Sequence, residues 1–175
     1  MPSRLPPDVR NKLEPIRLLV LDVDGVLTDG TLFYSAAGEE IKNFNARDGL
    51  GIRLMIDHGI EVGIITGRSS AAVRQRCADL GLKDRLIVLG SKDKAVDLDR
   101  MLVSLGLADH EMAAMGDDLP DLPMLGRAGF AVCPADAAPE VAVACDHVCG
   151  NEGGRGSVRE VAELLLKAKG RWTGL

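Results

Sequence analysis

Aromatic residues are scarce: three Phe, one Tyr and one Trp make up 3% of the 175 residues. A core built without them has to be filled by Leu, Val, Ile, Ala and Met, within an apolar content of 46%. No apolar run approaches the roughly 18 residues that span a bilayer. The first residues, Met1 to Leu13, lack the apolar centre of a secretory signal. A membrane partner is therefore not expected, and the cytoplasm is the expected compartment. Positive charge is also short, with 21 Lys and Arg against 26 Asp and Glu and a net charge of −5. No basic stripe is available to displace the counterions of a nucleic acid, which disfavours that class of partner. Cysteine is limited to Cys77, Cys133, Cys145 and Cys149, expected as reduced thiols in that compartment. The segment Cys145-Asp-His147-Val-Cys149 lacks the two-residue gap of a zinc ribbon and has no second half to complete four ligands. Repeats and low-complexity tracts are absent.

What is present reads as one domain over 16–169, with a loose or helical arm at 1–15 ahead of it and a short tail at 170–175. Arg17 to Val23 is a continuous apolar run ended by Asp-Gly, as in a strand buried on both faces. Ile60–Thr66, Leu86–Leu89, Met112–Met115 and Phe130–Cys133 repeat the pattern, three of them ending at a Gly turn. Helical periodicity lies between them: around Leu50, Leu54 and Met55; from Ala72 to a stop at Gly81; from Lys94 to a stop at Gly106; and over Val158–Leu166. Alternating strands and helices predict a doubly wound, mostly parallel, Rossmann-like α/β sheet, with its site at the carboxyl ends of the strands. Residues 31–45 break the alternation and read as a β-hairpin with a Gly-containing turn, a flap inserted after the first strand. No segment is long enough for a separate cap domain.

The polar clusters sit at those strand ends. In Asp22-Val23-Asp24-Gly25, residues two apart on extended chain turn to the same side, so Asp22 and Asp24 face one pocket. A carboxylate there can attack phosphorus and form an aspartyl phosphate, while its neighbour exchanges protons with the leaving group and with water. An ordinary Asp/Gly-rich turn is the bland alternative. Thr66-Gly67 opens a helix, where a hydroxyl and free amides bind anions as readily as they cap. Lys94 follows the third strand and can neutralise phosphoryl oxygens, with Lys92 as a competitor. Gly116-Asp117-Asp118-Leu-Pro-Asp121 follows the fourth. Asp117, with Asp22 and the carbonyl of Asp24, completes a hard oxygen set suited to Mg²⁺.

The ordered set DVDGVLTDG, TGR, Lys and GDDLPDLP resembles the haloacid dehalogenase superfamily in its capless phosphatase branch, over about residues 16–166. Within that branch, KNFNARDGLGIR and GGRGSVRE added to these motifs resemble the 3-deoxy-D-manno-octulosonate (Kdo) 8-phosphate phosphatases. The resemblance implies a Mg²⁺-dependent phosphatase of lipopolysaccharide sugar synthesis, acting on a phosphorylated sugar acid. It also implies a homotetramer whose flaps assemble into a shared barrel. By motif, Asp22 is the nucleophile and a metal ligand, and Asp24 the acid/base and a ligand through its carbonyl. Asp117 binds metal with Asp121 supporting it, and Thr66, Gly67 and Lys94 hold phosphate. Contacts to the sugar acid fall on Asn45, Ala46, Arg47, Asp48 and Gly49 and on Arg53, Arg68 and Arg76. The family's C-terminal tail can reach a neighbouring site; here Arg-Trp-Thr-Gly-Leu follows Gly170.

Three other readings compete. A phosphatase for 9-phosphates of nine-carbon sugar acids has the same machinery, but similar enzymes of that type place Glu where this chain has Arg68. A signalling receiver domain carries its phosphoacceptor on a middle strand, not on the first. An idle oligomerisation domain has no use for an intact Asp22, Asp24, Lys94 and Asp117.

Overall fold

Leu18–Leu21 is buried at all four positions and forms strand β1. Side chains alternate across a strand, so Leu19 and Leu21 enter one core while Leu18 and Val20 enter another. The run is apolar throughout because both faces are covered. In the computed structural model, which describes residues 6–172, five more strands join β1. They are β4 (Glu61–Thr66), β5 (Ile87–Leu89), β6 (Met112–Met115), β7 (Phe130–Cys133) and β8 (His147–Val148). The order is β5-β4-β1-β6-β7-β8, and every pairing is parallel. A separate antiparallel ribbon, β2 (Phe33–Tyr34) with β3 (Glu40–Ile41), stands between β1 and the first crossover helix.

Helices cover both faces of the sheet. The Leu19 side packs on α1 (Pro7–Leu13), α2 (Ala46–Asp57), α3 (Ala71–Leu80) and α7 (Ser157–Ala168). The Leu18 side packs on α4 (Lys94–Leu105), α5 (Leu122–Leu125) and α6 (Pro139–Ala144). The chain runs outward from β1 through β4 and β5, then returns to β6 on the other side of β1. That reversal opens a crevice at the carboxyl ends of β1 and β6.

The expected α/β sheet is present, and α3 and α4 stop at Gly81 and Gly106 as their spacing predicts. The differences are local. The hairpin strands are two residues each, because a lone ribbon has no third strand to extend against. The Cys145–Cys149 segment contains β8, too short and too exposed to show a period. Of the expected arm, 7–13 is helix α1 with Leu13 in the core, while residues 1–5 lie outside the described residues, as do 173–175 of the tail. Arg171 Nη1 donates to His58 O, and Trp172 lies under Arg159 and Lys167 at 5.1 and 5.6 Å.

Candidate active site

Beyond β1 the backbone reverses tightly: the amides of Val26, Leu27 and Thr28 all donate to Val23 O at 2.9–3.2 Å. Thr28 fastens the turn from inside. Its Oγ1 donates to Val23 O at 3.4 Å and accepts from the amides of Gly25 and Gly30 at 3.4 and 3.3 Å. This loop turns Asp22 and Asp24 into a cleft of about 340 Å³ whose walls include Thr66, Arg68, Lys94 and Asp117. The amide of Asp22 donates to Met115 O at 3.0 Å, tying the loop to the end of β6.

Lys94 reaches the cleft because two neighbouring turns interlock. The amide of Ser91 donates to Thr66 O at 2.9 Å and that of Gly90 to Arg68 O at 3.2 Å, which draws the start of α4 toward β4. The Asp93 carboxylate caps α4 by accepting from the amides of Ala95 and Val96 at 3.0 and 3.2 Å. Lys94, the first helical residue, turns its Nζ to Asp22 Oδ1 at 2.7 Å and to Asp121 Oδ1 at 2.5 Å. Lys92 is exposed. Asp121 uses its other oxygen to accept from the amides of Asp117 and Asp118, at 2.9 and 3.3 Å. Asp117 then lies directly over Gly25, where a Cβ would fall 2.0 Å from its Oδ2 and where φ is +88°. Any residue larger than Gly would be both clashed and strained there.

These carboxylates hold more negative charge than Lys94 balances. Ligand oxygens of Asp22, Asp117 and Asp121 lie within 4.8 Å of one another. Burial pushes Asp22 up to about 6 against the pull of Lys94. Burial, then the charges of Asp22, Asp121 and Asp118, push Asp117 up to about 7. Lys94 loses to burial but gains more from Asp22 and Asp121, which hold its ammonium above the usual lysine range. Clustered oxygens with uncompensated charge fit a hard divalent cation.

The residues expected at the sugar acid divide. Arg68 lines the cleft, its Nε donating to Glu40 Oε1 at 3.0 Å and its Nη2 to Tyr34 Oη at 2.6 Å. The others do not line this cleft. Asn45 caps α2, accepting from the amide of Arg47 at 2.8 Å, and Arg47 Nη2 donates to Arg155 O at 3.1 Å. Asp48 is buried, with its proton affinity raised by that burial, and accepts from the amides of Gly156 and Arg159 at 3.1 and 2.8 Å. Ala46 and Arg76 border a different groove; Arg76 donates to Asn45 O at 3.3 Å and packs against Gly49. Arg53 donates to Leu80 O at 3.0 Å and pairs with Asp57 at 3.6 Å. Within the chain, helix capping and packing engage these groups.

Three residues at the site carried no assignment from sequence. Thr28 lies inside the quoted DVDGVLTDG motif. Lys42 pairs with Asp24, and only the strand alternation of Glu40 and Lys42 hints at a shared inner face. Gly153 abuts Gly25, and a glycine-rich sequence alone does not reveal what it touches.

The family described as haloacid dehalogenase-like hydrolase matches residues 87–160. The 3-deoxy-D-manno-octulosonate 8-phosphate phosphatase KdsC of Salmonella typhimurium is 46% identical over 165 residues, 94% of this chain and 87% of that protein. The crystal structure of the phosphatase of that name from Yersinia pestis superposes with a TM-score of 0.93 at 40% identity, covering 96% of this chain and 90% of that one. That from Moraxella catarrhalis, in complex with a magnesium ion, a phosphate ion and Kdo, superposes with a TM-score of 0.91 at 39% identity, covering 94% of each chain.

Proposed function

Because the chain belongs to the 3-deoxy-D-manno-octulosonate 8-phosphate phosphatase family of haloacid dehalogenase-like hydrolases, we propose that it is a Mg²⁺-dependent phosphomonoesterase releasing Kdo and phosphate from Kdo 8-phosphate through an aspartyl phosphate on Asp22. The observation that carries this reading is the Lys94 bridge between Asp22 and Asp121, beside Asp24 and Asp117 in one cleft. Residues 16–169 form the capless phosphatase domain, and the protein acts in the cytoplasm. Among the described residues no helix is long and apolar enough to cross a membrane.

Asp22, Asp117 and the carbonyl of Asp24 would hold Mg²⁺, with Asp121 supporting Asp117; bound there, it supplies positive charge that offsets repulsion between a carboxylate and a phosphate dianion. Thr66, Gly67 and Lys94 grip the phosphoryl oxygens. An Asp22 oxygen forms a bond to phosphorus as the ester P–O bond breaks, and Asp24 gives its proton to the departing alkoxide. Water then attacks phosphorus, Asp24 takes its proton, and the Asp22–phosphorus linkage opens to free phosphate. Arg68 lines the cleft and, with Nε and Nη2 already donating to Glu40 and Tyr34, offers its remaining guanidinium N–H groups to the sugar-acid carboxylate. The half-exposed apolar flap, with Phe33 48% and Ile41 55% exposed, supports assembly into a homotetramer through the hairpins.

Phosphate release from eight-carbon and nine-carbon sugar-acid phosphates, each with Mg²⁺ and with EDTA, tests the assignment. The expected result is loss of release in EDTA and a higher kcat/KM for the eight-carbon ester. Equal or reversed preference would move the substrate to the nine-carbon class.

Two further outcomes follow from the charge balance. Replacement of Lys94 by Met leaves Asp22 and Asp121 without their cation. Phosphate release is expected to fall by about 10²-fold or more, and metal-free stability by about 3 kcal/mol in urea denaturation. The second concerns pH. In the metal-free fold Asp22 and Asp117 titrate above the ordinary 3.8 of an aspartate, so the folded state binds more protons than the unfolded chain. Their contribution to stability is present at low pH and is lost as pH rises through about 6 to 7. Binding of Mg²⁺ favours the ionised forms, so the rise in Tm on adding Mg²⁺ is expected to be larger at neutral pH than in mild acid. A shift independent of pH in differential scanning fluorimetry would contradict this.

A further inference from the structure

The inner face of the flap is built around a buried ammonium. Extended chain puts Glu40 and Lys42 on one side and Ile41 on the other. Ile41 is 55% exposed, whereas the Lys42 side chain is only 3% exposed. Lys42 Nζ hydrogen-bonds Asp24 Oδ1 and lies 3.1 Å from Glu40 Oε1. Glu40 Oε1 also accepts from Arg68 Nε at 3.0 Å, and Arg68 Nη2 reaches Tyr34 Oη at 2.6 Å. Two flap carboxylate and hydroxyl groups, the flap lysine and the cleft arginine thus form one network that ends on Asp24.

A buried ammonium is expensive to desolvate, and an apolar side chain would seat a short ribbon with less penalty. Its target is also selective. Asp24 Oδ1 is engaged by Lys42, while Oδ2 stands 4.0 Å from Arg68 Nε, beyond hydrogen-bond reach. One oxygen is pinned and the other is left for the cleft.

We propose that Lys42 is a positioning residue for the proton transfers: by holding Oδ1 it presents Oδ2 of Asp24 to the bridging ester oxygen, and it couples that alignment to the seating of the flap. The inference rests on the reading of Asp24 as the acid/base. In the first step the proton on Oδ2 passes to the leaving oxygen as the ester P–O bond breaks. In the second, Oδ2 receives a proton from the attacking water as the Asp22–phosphorus bond opens. An unheld carboxylate turns about its terminal torsion and spends only part of its time aligned.

The test is the leaving-group dependence of kcat/KM for substituted phenyl phosphates, measured with saturating Mg²⁺ for wild type, Lys42→Met and Lys42→Arg. These esters lack the sugar carboxylate, so a lost substrate contact cannot imitate the effect, and kcat/KM reports steps up to release of the phenol. Nitrophenolate departs without a proton; phenolate needs one more. In Lys42→Met the loss is expected to grow from a few-fold for nitrophenyl phosphate to about 10²-fold for phenyl phosphate. The Brønsted slope becomes steeper, and Lys42→Arg restores much of it. A uniform loss along the series, or no loss, overturns the proposal, because a strut would weaken every ester alike. If Lys42→Met does not fold, the same series on Lys42→Gln decides between the same two outcomes. A wild-type protein that hydrolyses none of the esters defeats the phosphatase reading itself, a result distinct from a uniform loss.

Discussion

Replacing Asp22 by Asn is expected to lower Mg²⁺-dependent phosphate release by about 10³-fold or more while leaving stability within about 1 kcal/mol of the wild type. The large effect has one cause: an amide is too poor a nucleophile to form the acyl phosphate on which both steps depend. The small one has two opposing causes. Burial, and after it the charge of Asp121, push the proton affinity of Asp22 up, so neutralising it relieves a metal-free fold. Against that, Lys94 gives up one of its two carboxylates, although Asp121 still accepts at 2.5 Å and the Asn oxygen can still accept in place of Oδ1. Steady-state kinetics and urea denaturation on the same preparation separate the two effects. Undiminished turnover would remove Asp22 from the chemistry.

Gly153→Ala is expected to cost about 2–3 kcal/mol of stability and about 10²-fold in kcat, although Gly153 belongs to no proposed chemical group. A Cβ at this position would lie 1.8 Å from Gly25 O, 2.6 Å from Gly25 C and 3.1 Å from Thr28 O. All three are backbone atoms of the loop that follows β1, so no flexible side chain can give way. The loop carrying Gly153 is itself pinned, its amide donating to Asp136 Oδ1 and that of Gly154 to Val26 O, both at 2.9 Å. A methyl group must therefore break those bonds or drive Gly25 toward Asp117, whose Oδ2 already occupies the space over it. Denaturation midpoints and kcat check this together. Near-wild-type values for both would show the contact to be slack.

The contrast between Asp22 and Gly153 marks what a single sequence discloses. Strands such as Leu18–Leu21 were legible because burial on both faces demands an unbroken apolar run. Most of the candidate site is legible from them, since Asp22, Asp24 and Asp117 stand just beyond the ends of the neighbouring strands β1 and β6, whereas Lys94 follows β5, two strands away, and is drawn in by the turns at Ser91 and Gly90. Asp48 shows the opposite case. Its place in a polar segment reads equally well as a ligand contact, yet its carboxylate accepts from the amides of Gly156 and Arg159 at the start of α7. Nothing local distinguishes the two uses. The same holds for Lys42 and Gly153, whose roles are defined by residues remote in the chain. Asn45, Arg53 and Arg76 are assigned to the sugar by resemblance alone, and their functional groups serve caps and helix packing within one chain.

A covalent intermediate on Asp22 can be caught by chemical trapping. Enzyme turning over a phosphate ester with Mg²⁺ is quenched in acid, reduced with borohydride and mapped by peptide mass spectrometry. An acyl phosphate at Asp22 is reduced to homoserine, so the expected result is that conversion at residue 22 and its absence in Asp22→Asn. Conversion at a different carboxylate, or sustained turnover with no reducible acyl phosphate, would remove the covalent role from Asp22.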